Sequence, residues 1–329
     1  MKKIIFLSAL IGLLACNRCK EEVPPMPTPE SDYYAPHLDN PPNDPRLYLL
    51  DRFAIPGQNL YEGTEYGYAH FNPNNPYEFV YTAIDNPISL NFTIYKFNFK
   101  TGVKTILPPK AYRISDWGAN GWILYTDPNG QLWKVKDNGD SITRITANQN
   151  FNQDAKWSPN GQYTIHKASS FFELRTANGQ YIKTIFNGVS YGIGWLNDSI
   201  VGHQTDGDVA AWLNINTEAI SPIFASKASV APVWDVQRKQ IHYFSNKGLG
   251  HQDYLLRDNY ETLQRDTLRS FFDSYNFYMT DYAPQTKKGI GLLRTMRYED
   301  SLRSPNRIVN TAIVLFDLDG KNEKVIRLR

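Results

Sequence analysis

The chain has 329 residues, 41% hydrophobic and 21% charged, with 35 Lys and Arg against 33 Asp and Glu for a formal charge of +2. That near-balance excludes a basic surface for nucleic acid or for electrostatic attraction to anionic lipid. Only two cysteines occur, Cys16 and Cys19, which excludes a fold stapled by several disulfides.

The chain opens MKKIIFLSALIGLLACNRCKEE. Lys2 and Lys3 precede an apolar run over residues 4–15, too short to span a bilayer as a helix but suited to a signal-peptide core. Residues 1–15 are therefore expected to be a leader outside the fold. Leu13, Leu14, Ala15 and Cys16 resemble the lipobox of bacterial lipoproteins. That resemblance implies cleavage before Cys16 and a diacylglycerol on its sulfur. At about 0.8 kcal/mol per buried CH₂, two or three acyl chains make a lasting anchor. Cys19 is then left with no partner in its own chain. Asn17 is not the aspartate that often retains such proteins in the inner membrane, and Lys20, Glu21 and Glu22 resemble the short acidic export tag of surface lipoproteins in Bacteroidetes-type bacteria. The expected location is the cell envelope, lipid-anchored at the outer membrane, periplasmic or surface-exposed. Residues 16–45 carry the lipidated cysteine and a stretch dense in proline without apolar periodicity, VPPMPTPESDYYAPHLDNPPNDP, which reads as an extended tether. Loss of Lys2 and Lys3 with the leader leaves acidic and basic residues balanced.

From residue 46 to 329 short β-rich runs alternate with Asn, Asp, Gly and Pro, and no segment has a sustained helical period. Aligning on the aromatic that precedes a turn gives Phe71, Trp117, Trp157, Trp195, Trp234 and Tyr282, at spacings of 46, 40, 38, 39 and 48 residues. Six copies of about forty residues are the period of a β-propeller with four strands per blade. A second landmark recurs further on in each copy: NFKTGV at 98–103, KDNGDS at 136–141, TANGQ at 176–180, NINTEA at 214–219 and DLDGKN at 317–322. Gly and Asn supply the positive φ that tight hairpins need. The fifth copy, LRDNYETLQ at 256–264, has no clean version. The expected fold is all-β, a six-bladed propeller of four-stranded antiparallel blades, each unit reading aromatic, turn, strand, loop, strand, turn, strand. The aromatics are expected to pack blade on blade, each burying on the order of 150–250 Å².

Trp157, Ser158, Pro159, Asn160, Gly161, Gln162 and Tyr163 resemble the W-S-P-D-G-type repeat motif of the TolB-like six-bladed propellers. Blades one and six keep a proline, Pro73 and Pro284, while blades two, four and five lack the Ser-Pro pair. The resemblance covers roughly residues 60–329 and implies the fold more than any activity.

Sharper motifs yield to architecture. Gly188 to Gly192 fits G-x-S-x-G with Ser190 at its centre, but a nucleophile elbow needs a helix after the serine, and GWLNDSIVGH reads as strand, turn and strand. His166 and His203 occupy the repeat position that Tyr125 and Tyr243 fill in other blades, which points to packing between blades and not to a metal. His242 is one residue out of that register, and His70, before Phe71, forms no H-x-H or H-x-x-H pair. Asp206 with Asp208, and Asp317 with Asp319, lack the downstream Glu of a calcium loop. Asp116, Asp154 and Asp281, just before their blades' aromatics, are the nearest candidates for catalytic carboxylates at a channel mouth, but their repeated placement fits a turn role better than a unique active site. No catalytic residue, metal ligand or cofactor is assigned, and an enzyme is the less favoured reading.

The repeat leaves three longer connections between second and third strands, at 83–91, 245–253 and 294–311, in blades one, five and six. These blades are neighbours in a closed ring, and loops on a rigid scaffold are where binding residues gather. The expected binding surface is Asn86, Ile88, Leu90, Lys247, His251, Arg297, Tyr298, Arg303 and Arg307. The protein is thus expected to be an anchored binding or scaffold module for an envelope protein or glycan. The alternative is a carbohydrate-active or other ligand-binding propeller that uses the channel mouth and carries paired carboxylates or a His cluster there. Blade six owns four strands in this reading, so residues 46–55 are either an extra strand on it or a clasp.

Overall fold

The structure, a computed structural model, describes residues 65–84, 92–185, 191–205, 209–225, 230–246, 253–271, 275–297, 307–317 and 324–326. These residues form six antiparallel sheets arranged as the blades of a propeller, with no helix among them. Blade three shows the pattern: Asn152–Trp157, Tyr163–Ala168, Phe171–Thr176 and Tyr181–Ile185 pair in chain order. The innermost strands of the other blades are His70–Asn72, Arg113–Trp117, Tyr191–Asn197, Val230–Asp235 and Tyr275–Ala283. Each lies beside the innermost strands of its two neighbours, blade six beside blade one included, so the ring closes.

Blade one departs from the pattern. Glu65–Tyr66 and His70–Asn72 pair along one edge of Asn75–Ile84, with Tyr66 opposite Ala83 and Phe71 opposite Phe79. Together they make one inner strand interrupted at 67–69. Gly67 is required there, since a Cβ would stand 2.0 Å from the Thr82 hydroxyl oxygen.

The apolar cores sit between blades. Phe71, Phe79 and Tyr81 of blade one pack with Ile290, Leu292, Ile313 and Leu315 of blade six. Val80, Ile94 and Leu107 pack with Ile114, Ile123 and Tyr125 of blade two. Alternation along each strand gives a sheet two buried faces, and each face is covered by the next blade, which explains the 14% aromatic content. The tryptophans add a directed contact: Trp157 Nε1 donates to Trp122 O (3.1 Å), Trp195 Nε1 to Lys156 O (3.3 Å) and Trp234 Nε1 to Gly192 O (2.8 Å), each reaching into the preceding blade. His203, fully buried, packs edge-on against Phe172 of blade three, as a packing residue would.

The fifth outer turn corrects the sequence reading. Asn259 N donates to Gln264 O, and Leu263 N to Asn259 O, the geometry of 98–103 and 214–219. Leu263 holds φ of 60°, where blade one has Gly102 and blade four Glu218. In all three, the opening asparagine (Asn98, Asn214, Asn259) accepts two backbone N–H groups through Oδ1. The turn is specified by that asparagine, which makes the glycine dispensable.

Blade six has four strands of its own, ending with Lys324–Ile326. Residues 46–55 lie outside the described residues. The second-to-third connections span 85–91, 247–252 and 298–306 in blades one, five and six, against 127–131, 169–170 and 205–208 in blades two, three and four. Residues 294–297 and 307–311 belong to paired strands and not to the loop, with Arg297 opposite Arg307.

Candidate binding site in the central channel

Five of the six inner strands carry a register shift just before the aromatic, at Ile114/Asp116, Gln153/Lys156, Tyr191/Gly194, Val230/Val233 and Met279/Asp281. A bulge re-aims the residues beside it. Asp154 (φ 53°) and Gly192 (φ 65°) occupy the same place, three residues before Trp157 and Trp195, in the left-handed conformation that the bulge imposes. The result is a cavity of about 280 Å³ on the propeller axis, lined by the inner strands of all six blades.

The residue preceding each aromatic lines this cavity, and its identity divides the ring. From blade six through blade three the series is Asp281, His70, Asp116, Lys156, alternately acid and base; in blades four and five it is Gly194 and Val233. Asp116 Oδ1 lies 3.1 Å from Lys156 Nζ, while its Oδ2 accepts the Trp157 N–H at 2.9 Å. Asp281 Oδ2 accepts the Phe71 N–H at 2.8 Å, and its Oδ1 accepts the Tyr282 N–H at 2.8 Å. Each carboxylate thus pins the inner strand of the following blade. Nearer the end where the inner strands begin, Arg113 pairs with Asp154 at 2.9 Å and lies over the Tyr68 ring at 3.8 Å. None of the three aspartates is in a turn, which corrects the sequence assignment.

Burial is the largest influence on Arg113 and Lys156 and opposes their charges, but Asp154 with Tyr68 and Tyr112 for the first, and Asp116 with Asp281 and Asp154 for the second, together outweigh it and hold both pKa values above their ordinary ranges. For His70, burial and then the Lys156 ammonium outweigh Asp281 and hold the imidazole below its ordinary range. Its Nδ1 stands 3.7 Å from Asp281 Oδ2, beyond hydrogen-bond distance.

Blades four and five solve the same junction without charge. A Cβ on Gly194 would stand 2.4 Å from the Trp234 ring, and one on Gly202 2.5 Å, so the indole lies flat on bare backbone. Trp212 packs against it at a tilt of 43°, with the ring centroids 4.6 Å apart.

The other candidates fall elsewhere. Asn86, Ile88, Leu90, Lys247, His251, Tyr298 and Arg303 lie outside the described residues, as do Ser190, Asp206, Asp208 and Asp319. Arg297 and Arg307 are brought together as a cross-strand pair at the base of the blade-six connection. By strand direction, the long connections of blades one, five and six leave from the end of the ring where the inner strands begin. A strand follows Gly192 where an elbow would need a helix. Asp317 pairs with Lys288. Fully buried His166 has Nε2 3.2 Å from Asn152 Oδ1 and 3.5 Å from Glu173 Oε2, and Glu173, itself bonded to Arg175, is held down to about 2. Burial works against that carboxylate, but the bonds from His166 and Arg175 prevail. Among the described residues no group of three His, Cys, Asp or Glu is arranged to hold a metal ion, and none forms a helix long and apolar enough to cross a membrane.

No protein-family model and no curated protein matches the chain. Solved structures do. A protein described as a TolB from Agrobacterium tumefaciens is similar over 71% of this chain and 87% of its own length, with a TM-score of 0.55 and 14% identity. The TolB of Acinetobacter baumannii is similar over 78% of this chain and 52% of its own, at TM-score 0.38 and 12% identity. A nidogen/laminin complex matches over 62% and 78%, at TM-score 0.48 and 12% identity. At such identities the likeness is one of fold, and the first comparison carries it. With six four-stranded blades closed around one axis, the chain has the TolB-like six-bladed β-propeller fold.

Proposed function

We propose that the protein is a lipid-anchored, non-catalytic propeller that binds an envelope protein through the face bearing its long connections. Residues 1–15 are the leader, Cys16 takes the lipid, residues 16–45 are the tether and residues 46–329 hold the propeller. The observation that carries the reading is the use made of the channel's charges. Asp116 and Asp281 hold the next blade's backbone, Asp154 holds Arg113, and a carboxylate committed in this way is no free general acid or base. Function then falls to the loops the repeat does not need, and those of blades five, six and one are the longest of their class. The likeness to TolB structures favours a protein partner in the envelope over a glycan. The binding surface comprises Asn86, Ile88, Leu90, Lys247, His251, Arg297, Tyr298, Arg303 and Arg307.

Crosslinking on intact cells followed by mass spectrometry tests both halves. Cys16→Ser moves the protein out of the membrane fraction, and Arg297→Glu with Arg303→Glu removes a crosslinked partner while leaving the thermal midpoint in place. A membrane-bound Cys16→Ser protein rejects the anchor; an unchanged set of partners in the double variant rejects the surface.

A further inference from the structure

We propose that the central channel binds a small amphiphilic cation, with an ammonium head on Asp281 and an apolar body against the wall made by blades four and five. The inference does not depend on the partner reading.

The argument begins with charge. Among the described residues, three carboxylates and two permanent cations line the cavity. Arg113 is matched to Asp154 at 2.9 Å and Lys156 to Asp116 at 3.1 Å. Among the described residues Asp281 has no such match: its oxygens accept the Phe71 and Tyr282 N–H groups, and its remaining neighbour is the His70 imidazole at 3.7 Å. Lys156 feels Asp281 across the channel, but its ion pair is with Asp116. Burial and Lys156 keep His70 uncharged at neutral pH, so one negative charge is left in the cavity, on a side chain that is 23% exposed. A carboxylate in a partly dehydrated cavity attracts a cation far more strongly than one on the surface.

Position supplies the second half. Asp281 stands on blade six at the border of the two arcs, and the preceding blade, five, offers Val233 at the corresponding place, with Gly194 beyond it on blade four. Met279 of the same strand and the rings of Trp234 and Tyr282 extend the apolar side. An ammonium at Asp281 therefore has an apolar wall beside it, and among the described residues no cation lines the cavity on that side. At about 280 Å³ the cavity lies near the lower bound of small-ligand sites, which limits the guest to a compact body such as one aromatic ring or a short alkyl chain.

Calorimetry on the full chain with phenethylammonium, phenethyl alcohol and methylammonium tests this. The expected result is one saturable site for phenethylammonium, with the alcohol and methylammonium each at least about tenfold weaker, since one lacks the head and the other the body. Asp281→Asn retains an oxygen acceptor for the Phe71 N–H. It is expected to weaken phenethylammonium about tenfold or more and to leave the alcohol unchanged. No saturable binding, equal binding of amine and alcohol, or an unaffected Asp281→Asn protein overturns the proposal. Where that variant does not fold, a sodium chloride series on the unaltered chain decides: affinity for the amine falls with salt if Asp281 holds the head, and an amine affinity indifferent to salt overturns the proposal.

Discussion

Blades six, one, two and three meet at the axis through ionised side chains; blades four and five meet through the Trp234 indole laid on Gly194 and Gly202. Both arcs solve one problem, which is joining inner strands where the ring is narrowest. In the charged arc a carboxylate accepts a backbone N–H from the next blade, and Asp116 also balances its charge on Lys156, so the junction depends on electrostatics and tolerates small changes of volume. In the apolar arc Trp234 fills the space to contact, so the junction depends on volume and is indifferent to salt. A repeat fold therefore fixes the geometry of its junctions without fixing their chemistry.

The largest expected effect falls on the apolar arc. Trp234→Ala removes a side chain that is 5% exposed, together with its bond to Gly192 O, and should cost about 3–5 kcal/mol by denaturant titration. Asp116→Ala leaves the Trp157 N–H and Lys156 without their acceptor and should cost about 2–3 kcal/mol. Asp116→Asn keeps one acceptor and should recover part of that loss; an Asn variant no better than Ala would show that charge alone carries the junction. Gly194→Ala presses a methyl into the Trp234 ring, for a loss of about 1–3 kcal/mol. The same denaturation series in high salt should weaken the unaltered charged arc and leave the cost of Gly194→Ala as it was, and a salt-dependent cost would break the contrast.

The smallest effect at neutral pH concerns His242, which faces Val233 across the first strand pair of blade five. Among the described residues neither ring nitrogen has a hydrogen-bond partner. Burial, then Arg257 and Arg238, lower its pKa to about 3. The unfolded chain, with an ordinary value near 6.5, takes up the proton first as pH falls, so stability declines between about pH 6.5 and 3. His203, lowered to about 4 chiefly by burial, adds to the decline in the upper part of that window. His242→Leu should flatten the stability curve there and change little at pH 7; an unchanged slope would locate the acid response in other groups.

The fold was legible because the repeat is local. An aromatic before a turn recurs about every forty residues, and an asparagine opens the outer turn in blades one, four and five, signals that are each read within one blade's own sequence. The one outer turn judged irregular, 256–264, shows the limit: a search for glycine misses Leu263 in a left-handed conformation, whereas Asn259 was visible. The channel was less legible, because it exists only once six strands converge and their bulges turn Asp116, Lys156 and Asp281 inward. The signal was present in the residue before each aromatic, where acid and base alternate through four blades and stop at Gly194 and Val233. His70, passed over in sequence for lacking a second histidine nearby, belongs to that series.

Among the described residues, blade six closes on blade one without sharing a strand. Asp281 with Phe71, Thr280 with Ala69 O (2.6 Å) and one apolar cluster join the two, while peptide chain bridges every other junction. The ring therefore has a seam, and its mechanics follow. Among the described residues this is the one joint that no peptide chain crosses, so tension applied at Glu65 should part blade one from blade six before any blade unravels.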